Sequence, residues 1–357
     1  MKLFRYIKAF KDVALKKEVM STPPIHMQLE PTSICNLSCL SCSYKEKVKN
    51  PHNLSFSQFK GIYDPIKPFK LTLSGVGETF LNPEIFEMIR YAKDNGSNVN
   101  TSSNGTTVDK IVEKIVESGL DLLKISIDSD NRETYEKVRN ADLFDRVISG
   151  VEDIARLKKE RSQKTPYLRF QFVIQNSNYK EIAGVVRLAH NKGVDAVNFQ
   201  ILELGGVEER REDLIGGMTL DSLRNSLNEG RVVAEELGVR SNLKQTIRKL
   251  PEYWEKYTKR RGCPRLCILP WFSTYVDIDG NMRPCCSFGL TFTEVNMGNI
   301  LTDGIEGSWN SERYRQFRKS IKDGTVPFLI CKTCIPQTPR DIIEMAKILP
   351  GFLGRGD

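Results

Sequence analysis

Three cysteines near the beginning of the chain constrain what it can fold into more than any other feature. Cys35, Cys39 and Cys42 stand in the run Cys-Asn-Leu-Ser-Cys-Leu-Ser-Cys, a C-x3-C-x2-C spacing. A [4Fe–4S] cluster ordinarily takes four cysteine thiolates, and a zinc site would need a fourth cysteine or histidine close by. The next cysteine in the chain is Cys263. The spacing therefore favours a cluster held by three thiolates, which leaves one iron open to a small ligand.

A second motif follows the cysteines. Residues 27–32 are predicted to form a short strand that ends at the cysteine loop. Residues 70–79 are predicted to form a second strand that runs into a glycine-rich turn with Gly77 and Glu78. This arrangement resembles the radical S-adenosylmethionine (SAM) superfamily, in which C-x3-C-x2-C follows the first barrel strand and a Gly-Gly-Glu-Pro-like motif the second. The resemblance implies that the open iron binds the amino and carboxylate groups of SAM, and that the reduced cluster cleaves SAM to a 5′-deoxyadenosyl radical. It also implies that Gly77 and Glu78 bind the methionyl amino group, although Thr79 stands where the family usually has proline.

Strands and helices alternate through the middle of the chain. Apolar residues at helical spacing separate short β-rich runs, which predict strands at 99–102, 122–128, 167–174 and 196–202. Helices between strands give parallel β/α units, and the six units match the open barrel of radical SAM enzymes. We therefore expect an α/β fold, a partial (β/α)6 TIM-like barrel with a small C-terminal β-hairpin/helix domain. In such barrels the chemistry lies at the C-terminal ends of the strands.

The resemblance extends to further SAM contacts at those strand ends. It implies that Ser126 and Asp128, at the end of the fourth strand, contact the ribose hydroxyls, and that Ser103 and Asn104, which end the third, face the same ligand. Arg139 resembles the arginine that pairs with the SAM carboxylate, a role that suits the bidentate fork of a guanidinium. Gln200, at the end of the sixth strand, is a candidate for the adenine region. For each of these residues an ordinary turn or surface ion pair is the alternative.

A second group of cysteines lies near the other end of the chain. An Asp-Gly pair between two β-rich runs predicts a hairpin, and the stretch resembles the SPASM/twitch extension of radical SAM proteins. That resemblance implies one auxiliary [4Fe–4S] cluster, with the four ligands Cys267, Cys285, Cys331 and Cys334. Four cysteines ending in C-x2-C also suit a closed zinc site, which is the alternative.

Two cysteines remain outside this ligand set. Cys263 and Cys286 are expected to be small buried hydrophobes. Either could instead replace its neighbour Cys267 or Cys285 as a ligand. Either could also donate a hydrogen atom, as radical SAM epimerases require.

The sequence also suggests domain boundaries. We expect a basic amphipathic helix at 1–22, the radical SAM core at 23–215, a helical linker at 216–258, the SPASM/twitch domain at 259–340 and a tail at 341–357. In the N-terminal helix an apolar stripe that includes Phe4, Ile7 and Phe10 is expected to pack on the main domain, in preference to lying on an anionic membrane. The net charge of +8 is attributed to a lysine-rich solvated surface and not to nucleic-acid binding. The absence of a signal peptide predicts a cytoplasmic protein.

The two cysteine groups together suggest a reaction. A radical site beside an electron-accepting cluster resembles the aminocyclitol dehydrogenases, which oxidise a secondary alcohol to a ketone. Glu203, Arg169 and Gln171 are candidates for the substrate space, with Glu203 as a possible base. The alternatives are an epimerase that uses a free cysteine, or a peptide maturase, which the short N-terminus disfavours because it leaves no room for a leader-binding domain. A non-catalytic metal scaffold would not need the SAM motifs. The expected partners are a small-molecule or peptide substrate and a reductant such as flavodoxin or ferredoxin.

Overall fold

The computed structural model describes residues 2–42, 44, 48–202, 208–259, 267–290, 295–325, 328, 330 and 331. They form two compact units. The central unit comprises the described residues of 35–49 and 100–254, and the terminal unit those of 1–34, 50–99 and 255–344.

The central unit is built on five parallel strands in the order β7-β6-β5-β4-β3. Buried residues alternate with partly exposed ones along the eight residues of β5, which is the period of a strand with one face on the core. The strands are β3 (Asn98–Ser103), β4 (Leu122–Ser126), β5 (Tyr167–Ile174), β6 (Ala196–Ile201) and β7 (Arg240–Ser241). Since β3 and β4 run parallel, with Ser103 opposite Ile125, their polar carboxyl ends lie at one edge.

Helices connect these strands and cover them with apolar faces. In the 17-residue helix Phe144–Glu160 the buried residues Val147, Val151 and Ile154 recur every three or four positions, as a helix with one apolar stripe requires. The helices of this part of the chain are α4 (Val112–Glu117), α5 (Arg132–Arg139), α6 (Phe144–Glu160), α7 (Ile182–Asn191), α8 (Leu220–Glu236) and α9 (Leu243–Lys259).

The terminal unit contains four strands in the order β2-β1-β8-β9. Strand β1 pairs in parallel with β2 and with β8, and β8 pairs antiparallel with β9. Gly280 has a φ of 85° in the turn between β8 and β9, a conformation open to glycine because it lacks a Cβ. The strands are β1 (His26–Leu29), β2 (Lys70–Leu73), β8 (Ser273–Val276) and β9 (Met282–Arg283). The helices are α1 (Lys2–Ala14), α2 (Phe56–Tyr63), α3 (Ile85–Asp94), α10 (Cys286–Leu290), α11 (Ile300–Trp309) and α12 (Glu312–Lys322).

The expected fold class is confirmed. Six strands joined by helical segments follow one another in the chain from β1 to β6, and the predicted hairpin is present as β8 and β9. One difference lies in the segment expected to be a helical linker. It contains α8 and most of α9, but also the strand β7, which pairs with β6.

The expected orientation of α1 is wrong. Its apolar stripe does not pack on the rest of the protein: Phe4 is 63% exposed, Ile7 57% and Phe10 75%. The face with Ala9 and Asp12 is buried instead. Among the described residues, no helix is both long and apolar enough to cross a membrane.

Candidate functional site

The loop that carries the first three cysteines is held by backbone carbonyls and one arginine of the central unit. Arg210 donates through Nη1 to the carbonyl oxygen of Leu40 at 2.8 Å and to that of Cys42 at 3.4 Å. The Leu40 amide donates to the carbonyl of Val138 at the end of α5, at 2.9 Å. The loop is therefore fixed at these two residues through its backbone carbonyls and amides.

These thiols have the chemistry that an iron–sulfur cluster needs. Cys35, Cys39 and Cys42 are free of disulfides, and Cys39 and Cys42 line one cavity of about 380 Å³ together with Tyr44 and Arg210. No three His, Cys, Asp or Glu side chains of the described residues are arranged as a finished metal site. The donor set fits a cluster by its chemistry, because all three side chains are thiols and two of them line this cavity.

Arg139 lies against this cysteine loop in a buried ion pair. Its Nη2 is 2.6 Å from the Asp128 carboxylate, and its Nη1 lies 3.8 Å from the sulfur of Cys39. Burial opposes the charge of Arg139, but the Asp128 carboxylate outweighs it and raises the pKa of the guanidinium above its ordinary value. The second oxygen of Asp128 accepts the Val173 amide at 2.8 Å. Both carboxylate oxygens thus have protein partners, and Asp128 holds the Arg139 guanidinium; contact of Asp128 with SAM stays a prediction.

The end of β3 is tied to the cysteine loop by side-chain amides. Asn104 donates to Asn36, the residue after Cys35, at 2.9 Å, and Asn36 donates to Thr106 at 2.8 Å. The Ser103 hydroxyl accepts the Gly105 amide at 2.9 Å. These bonds place Asn104 next to the residue that follows Cys35, a contact that the sequence did not suggest. Contact of Ser103, Asn104 or Ser126 with SAM stays a prediction.

The glycine turn of the terminal unit is tightly built. The Glu78 amide donates to the carbonyl of Ile34 at 2.8 Å, and the buried Glu78 carboxylate accepts the Phe80 amide at 3.2 Å. A Cβ on Gly77 would lie 2.4 Å from the carbonyl oxygen of Thr32. The turn thus packs directly on the backbone that leads into the cysteines, and only glycine fits at this point. Binding of the methionyl amino group of SAM by Gly77 and Glu78 stays a prediction.

Glu30, at the carboxyl end of β1, is a buried acid that sequence reasoning missed. It accepts a hydrogen bond from the Tyr275 hydroxyl and lies against Gly75, where an added Cβ would be 2.3 Å from its Cγ. Burial raises the pKa of Glu30 to about 7, against the opposing hydrogen bonds from Tyr275 and from the amides of Ile278 and Val76. Its position directly after a parallel strand was the available signal.

Three of the four expected auxiliary ligands lie in the terminal unit. Burial raises the pKa of the Cys331 thiol to about 11, and the neighbouring Cys267 adds to the shift. Burial raises the pKa of the Tyr314 hydroxyl, and Cys285 and Cys267 raise it further. Cys267, Cys285 and Cys331 are free of disulfides, so the donor set fits a cluster. Cys334 lies outside the described residues.

An aromatic and arginine core supports these cysteines. Arg318 is fully buried and lies 4.3 Å from the ring centre of Trp309 and 4.2 Å from that of Tyr314. Its Nε donates to the carbonyl of Pro270 at 2.9 Å and its Nη2 to that of Trp309 at 2.8 Å. These contacts fix the segment after Cys267 against α12.

The remaining candidates are less well defined. Glu203 and Cys263 lie outside the described residues, and Cys286 is exposed at the start of α10 instead of buried as expected. Arg169 lies on β5 opposite Lys124, and Gln171 opposite Ser126. Burial lowers the pKa of Arg169 to about 10. Gln200 is exposed near the end of β6. Substrate contact by any of them stays a prediction.

Two protein families match this chain. The family model of the radical SAM superfamily matches residues 29–189, and that of the SPASM iron–sulfur cluster-binding domain matches residues 267–335. The two matches contain all seven cysteines expected to bind iron.

Two relatives of known name are similar to this chain in sequence. The tungsten-containing aldehyde ferredoxin oxidoreductase cofactor-modifying protein of Pyrococcus furiosus is 26% identical over 350 residues, which cover 90% of each chain. The AdoMet-dependent heme synthase of Methanosarcina barkeri is 31% identical over 201 residues, 54% of this chain and 55% of the relative. 

Two solved structures share the fold. Streptococcus suis SuiB bound to S-adenosylmethionine superposes with a TM-score of 0.64 at 15% identity, over 94% of this chain and 78% of SuiB. Native anSMEcpe with bound AdoMet superposes with a TM-score of 0.62 at 16% identity, over 87% and 89%. With these matches and the two cysteine groups in place, the chain belongs to the radical SAM superfamily, is an enzyme of that superfamily with [4Fe–4S] clusters and SAM as its cofactors, and carries a C-terminal SPASM domain.

Proposed function

We propose that this radical SAM enzyme is an oxidoreductase that removes a hydrogen atom from its substrate and passes an electron to an auxiliary cluster. The observation that carries the proposal is that Cys267, Cys285 and Cys331 are all in the terminal unit and in no disulfide. With Cys334 this set gives four thiolates, which would fill every iron of a [4Fe–4S] cluster. A filled cluster suits electron transfer better than substrate binding.

The chain's own residues would prepare both sites. When bound, the first cluster and SAM supply the 5′-deoxyadenosyl radical, and the auxiliary cluster accepts an electron. Cys35, Cys39 and Cys42 would hold the first cluster on a loop that Arg210 fixes through two carbonyls. Arg139 places a permanent positive charge 3.8 Å from the Cys39 sulfur.

Other residues would hold SAM itself. In this proposal Gly77 and Glu78 bind the methionyl amino group, and Ser103, Asn104 and Ser126 line the nucleoside. Two observations support it: the Gly77 turn packs on the backbone before the cysteines, and Asn104 is bonded to Asn36 beside Cys35. In this proposal Asp128 acts as a positioning residue, because its carboxylate pairs with Arg139 and holds that guanidinium in place.

The substrate class we propose is a sugar or aminocyclitol-type alcohol, oxidised to a ketone. The alcohol would lose one hydrogen atom to the 5′-deoxyadenosyl radical, which becomes 5′-deoxyadenosine. It would also lose one proton to a base and one electron to the auxiliary cluster, so one SAM would be consumed for each ketone. Flavodoxin or ferredoxin would supply the electron that starts each turnover, in the cytoplasm.

Anaerobic reconstitution tests this proposal. The protein, loaded with iron and sulfide and reduced in the presence of SAM, should form 5′-deoxyadenosine, and deuterium should move into it from alcohols deuterated at the reacting carbon. Cys331→Ser should retain 5′-deoxyadenosine formation but lose ketone, whereas Cys286→Ala, at an exposed neighbouring cysteine, should behave like wild type. Failure to form 5′-deoxyadenosine would refute the SAM chemistry. Its formation with a redox-neutral product that gains deuterium from solvent would favour an epimerase.

A second candidate is modification of a peptide or of another enzyme's cofactor. The relative that covers 90% of this chain is a cofactor-modifying protein, and SuiB, which shares the fold, was solved bound to a precursor peptide. This candidate predicts that 5′-deoxyadenosine formation rises on addition of a peptide or of the cofactor of a tungsten-containing aldehyde ferredoxin oxidoreductase, and is unchanged by alcohols.

A further inference from the structure

The first helix is fixed on the terminal unit by its more polar face. Arg5 donates to the carbonyl of Lys67 at 2.8 Å and to that of Pro24 at 2.9 Å, and Tyr6 stacks on Phe69 at 4.0 Å between ring centres. Ala9, one turn further along, is buried. These contacts set the rotation of α1 about its axis.

The end of the helix is secured as well. The buried Asp12 carboxylate accepts the Ser21 amide at 2.7 Å and pairs with Lys17 at 2.8 Å. The Lys17 carbonyl in turn accepts the indole N–H of Trp271 at 2.7 Å. The rotation of α1 is therefore held at both ends.

This rotation turns the apolar residues of α1 outward. Phe4, Ile7 and Phe10 are 63%, 57% and 75% exposed, and Leu15 after the helix is 57% exposed. Helical spacing places Phe4, Ile7 and Phe10 on adjoining strips of one surface. A soluble domain gains by burying such side chains, and contiguous exposed apolar patches generally mark interaction sites. We call these four residues the outward face.

Lysines lie among the apolar residues of the outward face. Lys8 and Lys11 are exposed, and the Lys8 ammonium is 4.6 Å from the ring centre of Phe4. Residues 1–17 contain six lysines or arginines and a single acidic residue, Asp12, which is buried and paired. The partner of this surface must therefore be apolar and negatively charged.

We infer that the outward face of α1 docks the enzyme on an anionic lipid bilayer, with the helix parallel to the surface. Apolar side chains interleaved with lysines are the composition of helices that lie in the membrane interface, and each lysine near an anionic leaflet adds to the attraction. A second copy of this chain fits poorly, because a symmetric contact would bring the lysines of the two copies together. Charge complementarity thus selects lipid over self-association.

Sedimentation with sucrose-loaded vesicles tests the inference on the full-length protein. Wild type should bind vesicles of phosphatidylcholine with about 30% phosphatidylglycerol, should bind pure phosphatidylcholine at least about tenfold more weakly, and should lose affinity from about 0.1 M to about 0.5 M NaCl. Replacing Phe4, Ile7 and Phe10 together by serine should weaken binding at least about tenfold. Lys8→Glu with Lys11→Glu should weaken binding to the anionic vesicles alone.

A matched control distinguishes binding by the outward face from non-specific binding of vesicles by other exposed apolar residues. Val232 and Leu301 are exposed apolar residues on α8 and α11, each 42% exposed, and changing both to serine should leave vesicle binding unchanged. Because all the substituted side chains are exposed at the protein surface, each variant should remain folded in thermal melting and keep 5′-deoxyadenosine formation. Equal binding of wild type and the triple serine variant would overturn the inference. So would a wild-type dimer that the triple variant dissociates, without vesicle binding by either protein.

Discussion

Glu30 should make the protein less stable as the pH rises, and replacing it by glutamine should remove this effect. Burial raises the pKa of its carboxyl from an ordinary 4.5 to about 7. Between these values the folded protein holds a proton that the unfolded chain has released, so the stability of the fold falls as pH rises through this window. At 1.36 kcal/mol for each pH unit, the ionised carboxylate costs roughly 3 kcal/mol above pH 7 compared with pH below 4.5.

Part of this cost falls within an accessible pH range. The same linkage relation gives a change of about 1.4 kcal/mol between pH 6 and pH 8.5. Glutamine keeps the shape of the side chain, and the Tyr275 hydroxyl, which donates to Glu30, can accept from the glutamine amide. Glu30→Gln therefore removes the ionisation while keeping a hydrogen-bonded partner for Tyr275.

Urea unfolding followed by circular dichroism measures the effect. The stability of wild type minus that of Glu30→Gln should decrease by about 1.4 kcal/mol from pH 6 to pH 8.5. The same difference measured for Glu306→Gln, a change at an exposed glutamate of α11, should not decrease in this way. This control shows that the effect belongs to Glu30 and not to loss of any glutamate. A difference that does not vary with pH, or that grows in favour of wild type at high pH, would refute the reasoning.

Three further substitutions test the two sites. Gly77→Ala would bring a Cβ to 2.4 Å from a backbone carbonyl oxygen, so SAM binding by equilibrium dialysis should fall at least about tenfold; Gly61→Ala, whose Cβ meets only a methyl at 3.4 Å, should bind SAM normally. Asp128→Asn leaves the Arg139 guanidinium buried without its counter-ion, so urea unfolding should show a loss of about 3–5 kcal/mol, partly restored by adding Arg139→Met. Cys331→Ser should lower the iron content from about eight to about four atoms per chain, and an unchanged content would remove this cysteine from the ligand set.

Much of the fold followed from local sequence patterns. The strands from β3 to β6 begin and end within two residues of their predicted positions, because their apolar runs are bounded by glycines and polar turns. The hairpin of β8 and β9 followed from Asp-Gly in the same way. The strand β7 was not predicted, because a strand of two residues is too short to show alternation of apolar and polar side chains. It is identified in the structure by its pairing with β6.

The orientation of α1 could not be read from its own sequence. Helical periodicity identifies an apolar stripe, but it does not say which face meets the protein. The outcome depends on Phe69, Lys67 and Trp271, which lie far along the chain and which make specific contacts with Tyr6, Arg5 and Lys17. The Asp12–Lys17 ion pair and these hydrogen bonds thus fix the polar face of α1 on the protein and leave the apolar stripe exposed.

The cysteine loop shows the same limit at the candidate site, and there it bears on chemistry. Spacing identified the three thiols, but it did not identify Arg210, which bonds to the loop from 170 residues away along the chain. Nor did it show that Arg139 contacts both Asp128 and the Cys39 sulfur. A cluster held by thiolates gains negative charge on reduction, so fixed cations beside it favour the reduced form. Arginine suits this task because it stays protonated when buried. The Asp128 ion pair thereby holds a permanent positive charge beside one of the thiols that would bind the cluster, and such a charge would favour reduction of the cluster.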